Sequence, residues 1–310
     1  MNLDAQDDGF PSTALPTAVA LALELISDDD SFRVLRRVDL PATRLTWGPT
    51  EGTHVGVCLD TETTGLDAER DAIVELALRR FRYDDSGRIV ALDAPHSWLE
   101  DPGRPIDPAI TRITGLSNAD VEGRSIDAEA ATALLNSASL VVCHNSRFDR
   151  DFVERRLPGV RGLRWSCSMD EVDWAASGFE GRAMRWLLDQ TGWFYRAHRA
   201  GDDVDALLQL LRHDLPDGTT VLSHVAAAAS RVGWLVRAEG AHYERREVLK
   251  ARGYAWNAAR KVWLREIADG EREAETAWLD REVYDFRHRP RNLTPRIDRI
   301  DATTRYRKAD

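Results

Sequence analysis

Val55-Gly-Val-Cys-Leu-Asp-Thr-Glu-Thr-Thr-Gly-Leu66 is the stretch on which the fold turns. It opens with a short apolar run, Val55–Leu59, which reads as a buried strand. Asp60 and Glu62 close that run, and side chains two apart on a strand share a face. Two carboxylates on one face repel unless a cation lies between them. Their hard oxygens suit Mg²⁺ or Mn²⁺. An ordinary acidic strand end would look the same, so the pair alone does not decide between the two.

Working outward, Ile73–Tyr83 and Arg88–Leu92 read as two further strands, with Asp84-Asp85-Ser86-Gly87 as the turn between them. Ile126–Asn136 reads as a helix, and Leu140–Cys143 as a short buried strand. Arg147–Leu157 is amphipathic, with Phe148, Phe152 and Val153 on one side. Arg164–Ser168 fits a strand, and Ala183–Thr191 and Asp202–Arg212 fit helices. A three-strand meander followed by alternating helices and strands predicts an α/β domain, a mixed sheet flanked by helices.

Around it the chain divides further. Residues 1–50 form an N-terminal extension with a helix at Thr13–Ser27, a strand at Phe32–Leu40 and a linker holding Pro41, Gly48 and Pro49. The α/β domain covers 51–215, and 216–230, opening on Pro-Asp-Gly, reads as a linker. Residues 231–286 read as a small α+β module with a hairpin at Gly253–Ile267, and 287–310 as a basic tail.

Composition narrows the class. The 310 residues carry 42 Lys+Arg against 52 Asp+Glu, a formal net charge of −10. At 43% hydrophobic and 30% charged the chain is too apolar for disorder and too polar for a membrane protein. Three cysteines cannot build a disulfide framework and fit a reducing compartment. Cys58 and Cys143 read as inert core residues. The acidic N-terminus lacks the basic region of a signal peptide. A cytoplasmic location with no membrane partner is expected. Residues 241–310 hold 17 Lys/Arg against 13 Asp/Glu, so the excess of acid lies entirely in the first 240 residues. An acidic body with a basic end favours a polyanionic partner; a solvated tail is the plain alternative.

Two more segments repeat the pattern of an acid at an element boundary. His144-Asn-Ser-Arg-Phe-Asp-Arg-Asp-Phe152 follows a buried strand and puts Asp149 at a helix start, where the macrodipole alone would favour it. His198 precedes Asp203 by five residues. Asp202 is expected as the helix N-cap, leaving Asp203 in the first turn. An imidazole near its ordinary pKa can take a proton from water.

In this order, LDTETTGL, HNSRFDRDF and HRAGDDVDALL resemble the motifs of the DnaQ-like 3′→5′ exonuclease family, DEDDh subtype, which includes the proofreading epsilon subunit of bacterial DNA polymerase III. The resemblance covers about Val55 to Leu211, roughly half the chain. It implies an RNase H-like fold and two Mg²⁺ (or Mn²⁺) ions held by Asp60, Glu62, Asp149 and Asp203. It implies His198 as general base, and Thr63, Thr64 and Asn145 at the terminal nucleotide. Ile110–Val121, centred on Thr114, Gly115 and Leu116, resembles the segment that packs on the 3′-terminal base. Asp202 and Asp205 fall outside the pattern.

The expected activity is hydrolysis of DNA from single-stranded 3′ ends to 5′-mononucleotides, in repair or proofreading. An exoribonuclease with the same chemistry is the alternative, and a non-catalytic nucleic-acid-binding scaffold a weaker one. A polymerase or clamp partner is not visible. Gln190–Tyr195 superficially looks like a clamp-binding peptide, but its aromatics are expected in the core. Trp256 and Trp263, near Lys250, Arg252, Arg260 and Lys261, could stack on bases or could pack on the helix Glu244–Arg252.

Overall fold

The structure is a computed structural model that describes residues 17–27, 31–41, 51–258, 260–284 and 294–307. Two elements precede the main sheet: helix α1 (Thr17–Ser27) and a two-residue strand β1 (Arg36–Arg37). The longer strand expected at Phe32–Leu40 shrinks to that pair, whose partner is a strand of equal length further on. Thr13–Pro16 of the expected helix, and the expected linker residues Gly48 and Pro49, lie outside the described residues.

The main sheet starts with β2 (Thr53–Thr63), β3 (Ile73–Asp84), β4 (Ile89–Leu92) and β5 (His96–Leu99). β2 and β3 run antiparallel along nearly their whole length, with Asp60 opposite Ala77 and Glu62 opposite Glu75. Gly56 lies opposite Phe81, whose ring sits where a β-carbon would be, about 2.2 Å from it. Only glycine allows that approach. The buried ring stabilises the sheet by about 1.5–3 kcal/mol. Gly87, at φ 79°, closes the expected turn by donating its N–H to the Asp84 carbonyl.

Helices α2 (Pro108–Thr114), α3 (Asn118–Val121) and α4 (Ala128–Asn136) follow, and then β6 (Leu140–Cys143), which joins β2 in parallel. α5 (Ser146–Arg156) leads to β7 (Trp165–Cys167), parallel to β6. α6 (Met184–Gln190), β8 (Trp193–Phe194, paired with β1), α7 (Ala200–Leu211) and α8 (Val221–Ser230) complete this part. The strand order is β4-β3-β2-β6-β7, with β5 on β3. This is the mixed sheet flanked by helices that the alternation predicts.

The core lies on both faces of the sheet. Leu59, Leu76, Leu78 and Trp165 pack with α4 and α5 on one side. Cys58, Phe81 and Leu92 pack with α7 and α8 on the other. α7 is tied down by the fully buried Arg79 of β3, whose guanidinium meets Asp205 at 2.7 Å. The stretch expected as a linker is in fact α8. Thr220 caps it by accepting the Ser223 N–H, and Val221, Leu222 and Val225 are buried in the core. The Ala-rich run after the Pro-Asp-Gly turn hides an amphipathic pattern.

A second sheet follows, built from β9 (Gly233–Ala238), β10 (Ala255–Asn257), β11 (Val262–Ala268) and β12 (Arg296–Ile300), in the order β10-β11-β9-β12. α9 (Arg246–Ala251) and α10 (Arg272–Leu279) cover one face, burying Val236, Leu249, Trp263 and Leu279 together. The last segment departs from the expected tail where it is described; 287–293 and 308–310 lie outside the described residues. Residues 296–300 pair along β9, and Ala302 and Tyr306 are buried, with the Tyr306 hydroxyl donating to Glu171 at 2.6 Å. RIDRI looks like a charged run, but Ile297 packs on the module's core and Ile300 is buried on the opposite face of the strand. No helix among the described residues is long and apolar enough to cross a membrane.

Candidate active site

The two acids of β2 stand on the same face, just before a bulge between Glu62 and Thr63 that ends regular pairing. α7 lies across that face and brings Asp203 from its first turn. Carboxylate oxygens of Asp60, Glu62 and Asp203 all lie within 4.8 Å of one another. Asp149, in the first turn of α5, is 2% exposed and accepts both the N–H and the hydroxyl of Thr61, at 3.0 and 2.8 Å. Thr61 lies between Asp60 and Glu62, so these bonds fasten the fourth acid to the strand that carries the first two. The structure brings together all four acids marked in the sequence.

His198 joins them through its backbone. The residue adopts φ 71°, a left-handed conformation costly for a non-glycine residue. Its N–H donates to Asp203 Oδ2 at 2.8 Å, and the Arg199 N–H donates to the same oxygen at 3.1 Å. The imidazole is left exposed beside the acids. Asp202 is not the N-cap. The helix begins at Ala200 with Arg199 in the cap position, because the carboxylates of Asp203 and Glu75 take the free N–H groups of this turn.

Three residues of this site escaped the sequence reading. Glu75 is 3% exposed on β3, accepts Arg199 Nε at 3.0 Å and the Ala200 N–H at 3.2 Å, and so anchors the loop that carries His198. Its signal was available: one acid inside the otherwise apolar run Ile73–Leu78. Arg199 had no signal beyond its place after His198. Tyr195 donates its hydroxyl to Asp203 Oδ1 at 3.0 Å, so both oxygens of that acid are held. Within the clamp-like peptide, then, Tyr195 faces the acids, Trp193 packs on the core and Phe194 is 43% exposed.

The remaining expected positions divide. Thr63 donates to the Gly65 carbonyl at 2.6 Å. The Thr64 hydroxyl accepts from Ala72 N–H and Arg104, which fixes the turn after β2. Asn145, at φ 87°, flanks α5 with its side chain exposed and uncapped. Thr114 and Leu116 turn inward. Thr114 donates to the Ile110 carbonyl, and Leu116 packs with Val74, Ile106 and Val121. Gly115 and the half-exposed Ile113 face outward, as do Arg112, Asn118, Ala119 and Asp120 of the same segment. His144 is held by Ser168 and the Arg182 carbonyl, and burial depresses its pKa to about 4, so it is a neutral structural group.

The electrostatics are strained. Burial and the neighbouring acids Asp149, Asp203 and Glu62 push Asp60 well above the usual carboxylate range. Burial, then Asp203 and Glu75, push Glu62 up to about 8. Burial raises Asp149 to about 7 against the Thr61 hydrogen bonds, and Asp203 to about 6 against those from Tyr195 and the His198 loop. Among the described residues, no Lys or Arg forms an ion pair with any of these four. Buried like charges at this spacing cannot all ionise without a cation. The donor set is all oxygen, which fits a hard divalent ion.

Comparison with known proteins agrees with the geometry. The family model RNase_T, described as Exonuclease, matches residues 57–211. The chain belongs to this exonuclease family. The match spans every acid above, and β2 through α7. A PolC-type DNA polymerase III of Thermotoga petrophila is 31% identical over 160 residues, 50% of this chain and 11% of that protein. The DNA polymerase III subunit epsilon of Treponema pallidum is 28% identical over 183 residues, 56% of this chain and 79% of the subunit. A solved structure of exonuclease X in complex with 5′ overhanging duplex DNA aligns with a TM-score of 0.38 and 24% identity, covering 54% of this chain and 99% of the other. The exonuclease part of this chain thus spans about a tenth of the PolC-type relative.

Proposed function

We propose that the chain is a metal-dependent 3′→5′ exonuclease that hydrolyses DNA from single-stranded 3′ ends and releases 5′-mononucleotides. The observation that carries this reading is the meeting of Asp60, Glu62 and Asp203 within 4.8 Å, with His198 bonded through its backbone to Asp203. Asp60, Glu62, Asp149 and Asp203 would hold two Mg²⁺ or Mn²⁺ ions. When bound, such ions neutralise phosphodiester charge and favour hydroxide over water.

The chain's own residues do the rest. Asp60 and Glu62 fix the reacting face at a rigid strand end. Thr61 fixes the Asp149 carboxylate through two hydrogen bonds that favour its charged form. The exposed His198 imidazole takes the proton of the attacking water and returns it to solvent. The turn Thr63–Gly65 and the outward Gly115 would meet the terminal nucleotide, and a strand end threaded between protein groups favours a frayed strand over a duplex. The family label, RNase T, gives specific support to a second reading, an exoribonuclease with the same chemistry.

One gel tests both. The protein is incubated with 5′-labelled single-stranded DNA, primer–template DNA and RNA, with Mg²⁺ or with EDTA. A ladder shortening from the 3′ end of single-stranded DNA, abolished by EDTA, is expected. A ladder on RNA alone selects the second reading, and intact substrates in every lane overturn both.

A further inference from the structure

The second sheet has one face on α9 and α10, and its other face looks back at the nuclease domain. Along β9, Val236 and Ala238 enter the module's core, while Leu235 and Arg237 alternate to the opposite side. On β11, Trp263 and Ile267 are core residues, and Leu264 and Glu266 face away. Arg296, Asp298 and Ile300 continue that face on β12, with Arg296 opposite Arg237. The expected stacking residues Trp256 and Trp263 lie opposite each other on the other face, rings 5.4 Å apart.

Between this open face and α5 runs a cleft of about 760 Å³. Its nuclease wall is Leu66, Asn145, Arg147 and Phe148. Leu66 ends the stretch that carries Asp60 and Glu62, and Asn145 and Phe148 flank Asp149 at the start of α5. The cleft therefore opens from two of the three segments that build the acid cluster.

Its charge is opposite to that of the chain. Six arginines line it (Arg147, Arg237, Arg296, Arg299, Arg305 and Arg307) against three acids, Asp151, Glu266 and Asp298, in a protein of net charge −10. Five of the six are ion-paired: Arg237 and Arg296 with Asp298, Arg305 with Glu266, and Arg299 and Arg307 with Asp301 and Glu154, which lie outside the lining. Arg147 forms no ion pair among the described residues and is exposed. Apolar side chains line it as well, with Leu66 88% exposed and Phe148 and Leu264 half-buried. Fixed guanidinium groups beside apolar side chains suit phosphates on one side and unstacked bases on the other.

We propose that this cleft holds the single strand on the 5′ side of the nucleotide being removed, and so makes binding depend on substrate length. The proposal rests on the nuclease reading for its direction. Its test is the double variant Arg147→Glu/Arg296→Glu of the full chain, with 5′-fluorescein oligomers of dT and of rU, 3 and 16 residues long. Anisotropy in EDTA reads binding without chemistry, and hydrolysis in Mg²⁺ reads KM and kcat separately.

For the 16-mers, binding at least tenfold weaker, a salt dependence of log K reduced by about 0.7 per lost phosphate contact, and a KM increase without a matching fall in kcat are expected. The 3-mers should change much less. Arg147→Ala/Arg296→Ala, about threefold weaker on the 16-mer, covers a folding failure of the charge reversal. The dT and rU arms tell which sugar the cleft prefers, and a length-dependent loss on either supports it. Wild-type 16-mer binding in both variants, or no 16-mer binding by the wild type in EDTA, overturns the proposal. If the wild type cleaves nothing yet its 16-mer binding is lost in the variants, the cleft stands and the nuclease reading falls.

Discussion

Two buried acidic places in this molecule are solved in opposite ways. In the C-terminal module, Glu275 is 2% exposed, yet Arg265 meets it at 2.7 Å, Arg252 at 3.0 Å and the Tyr254 hydroxyl at 2.9 Å. Every lone pair of consequence has a donor from the chain. In the nuclease domain, Asp60, Glu62, Asp149 and Asp203 are packed together with hydrogen-bond donors but no ion-paired cation among the described residues. Glu75, a few ångströms behind them, shows that this domain can supply an arginine when a carboxylate needs one. The contrast separates charge buried for structure from charge held ready for something outside the chain.

That contrast breaks most visibly in activity. Asp60→Asn is expected to lower hydrolysis by about 10³-fold or more, equivalent to roughly 4 kcal/mol of lost transition-state stabilisation. The same variant removes one of four mutually repelling charges with little change of volume. Its EDTA-treated form should therefore melt no lower than the wild type. A lower melting point in EDTA would mean that the cluster stabilises the fold by itself and that the two places are alike.

Glu275→Ala makes the converse case. It leaves Arg252 and Arg265 facing each other with no counter-charge, beside the tyrosine that lost its acceptor. Removing one partner of a fully buried pair costs about 3–5 kcal/mol. Arg252 is 39% exposed and Arg265 22%, so solvent screens part of this and about 2 kcal/mol is expected. Urea denaturation followed by tryptophan fluorescence measures it. Cleavage of a trinucleotide per folded molecule should stay within about twofold. A stability loss below the error of the measurement would remove the structural half of the comparison.

How much of this was legible in the sequence follows the same line. Acids at element ends were readable because a short apolar run fixes where a strand stops, and period two fixes which side chains share its face. That Asp60 and Glu62 meet Asp149 and Asp203 followed only from the family resemblance of the three segments, and β5, α2 and α3, which lie between β4 and α4, carry no pattern that was read. Glu75 shows in the sequence only as an acid inside an apolar run, and neither its bond to Arg199 nor that of Tyr195 to Asp203 follows from local patterning. Thr114 and Leu116 were placed at the substrate although the left-handed turn at Gly115 sends both side chains inward. The run 221–230 and the strand 296–300 were misjudged for a common reason. Alanine and arginine hide periodicity, and only packing against β7 and β9 reveals which face is buried.

The smallest expected effect concerns pH. Folded-state values of about 8 for Glu62, 7 for Asp149 and 6 for Asp203 stand against roughly 4 for the same groups in an unfolded chain. Between those limits the folded protein holds more protons than the unfolded one, so its stability falls as pH rises. The contribution is fully present below about pH 4 and is lost by about pH 8. In EDTA the melting temperature should therefore drop between pH 5.5 and 8 by an amount on the order of 5 °C, after the background trend of Asp60→Asn/Glu62→Gln is subtracted. Adding Mg²⁺ should reverse the trend, because a cation competes with protons for these oxygens and gains most where they are already ionised. Differential scanning fluorimetry across pH, with and without Mg²⁺, measures both slopes. A metal-free melting temperature that rises over this range relative to the double variant would show that these acids already have their counter-charge within the chain, as Glu275 does.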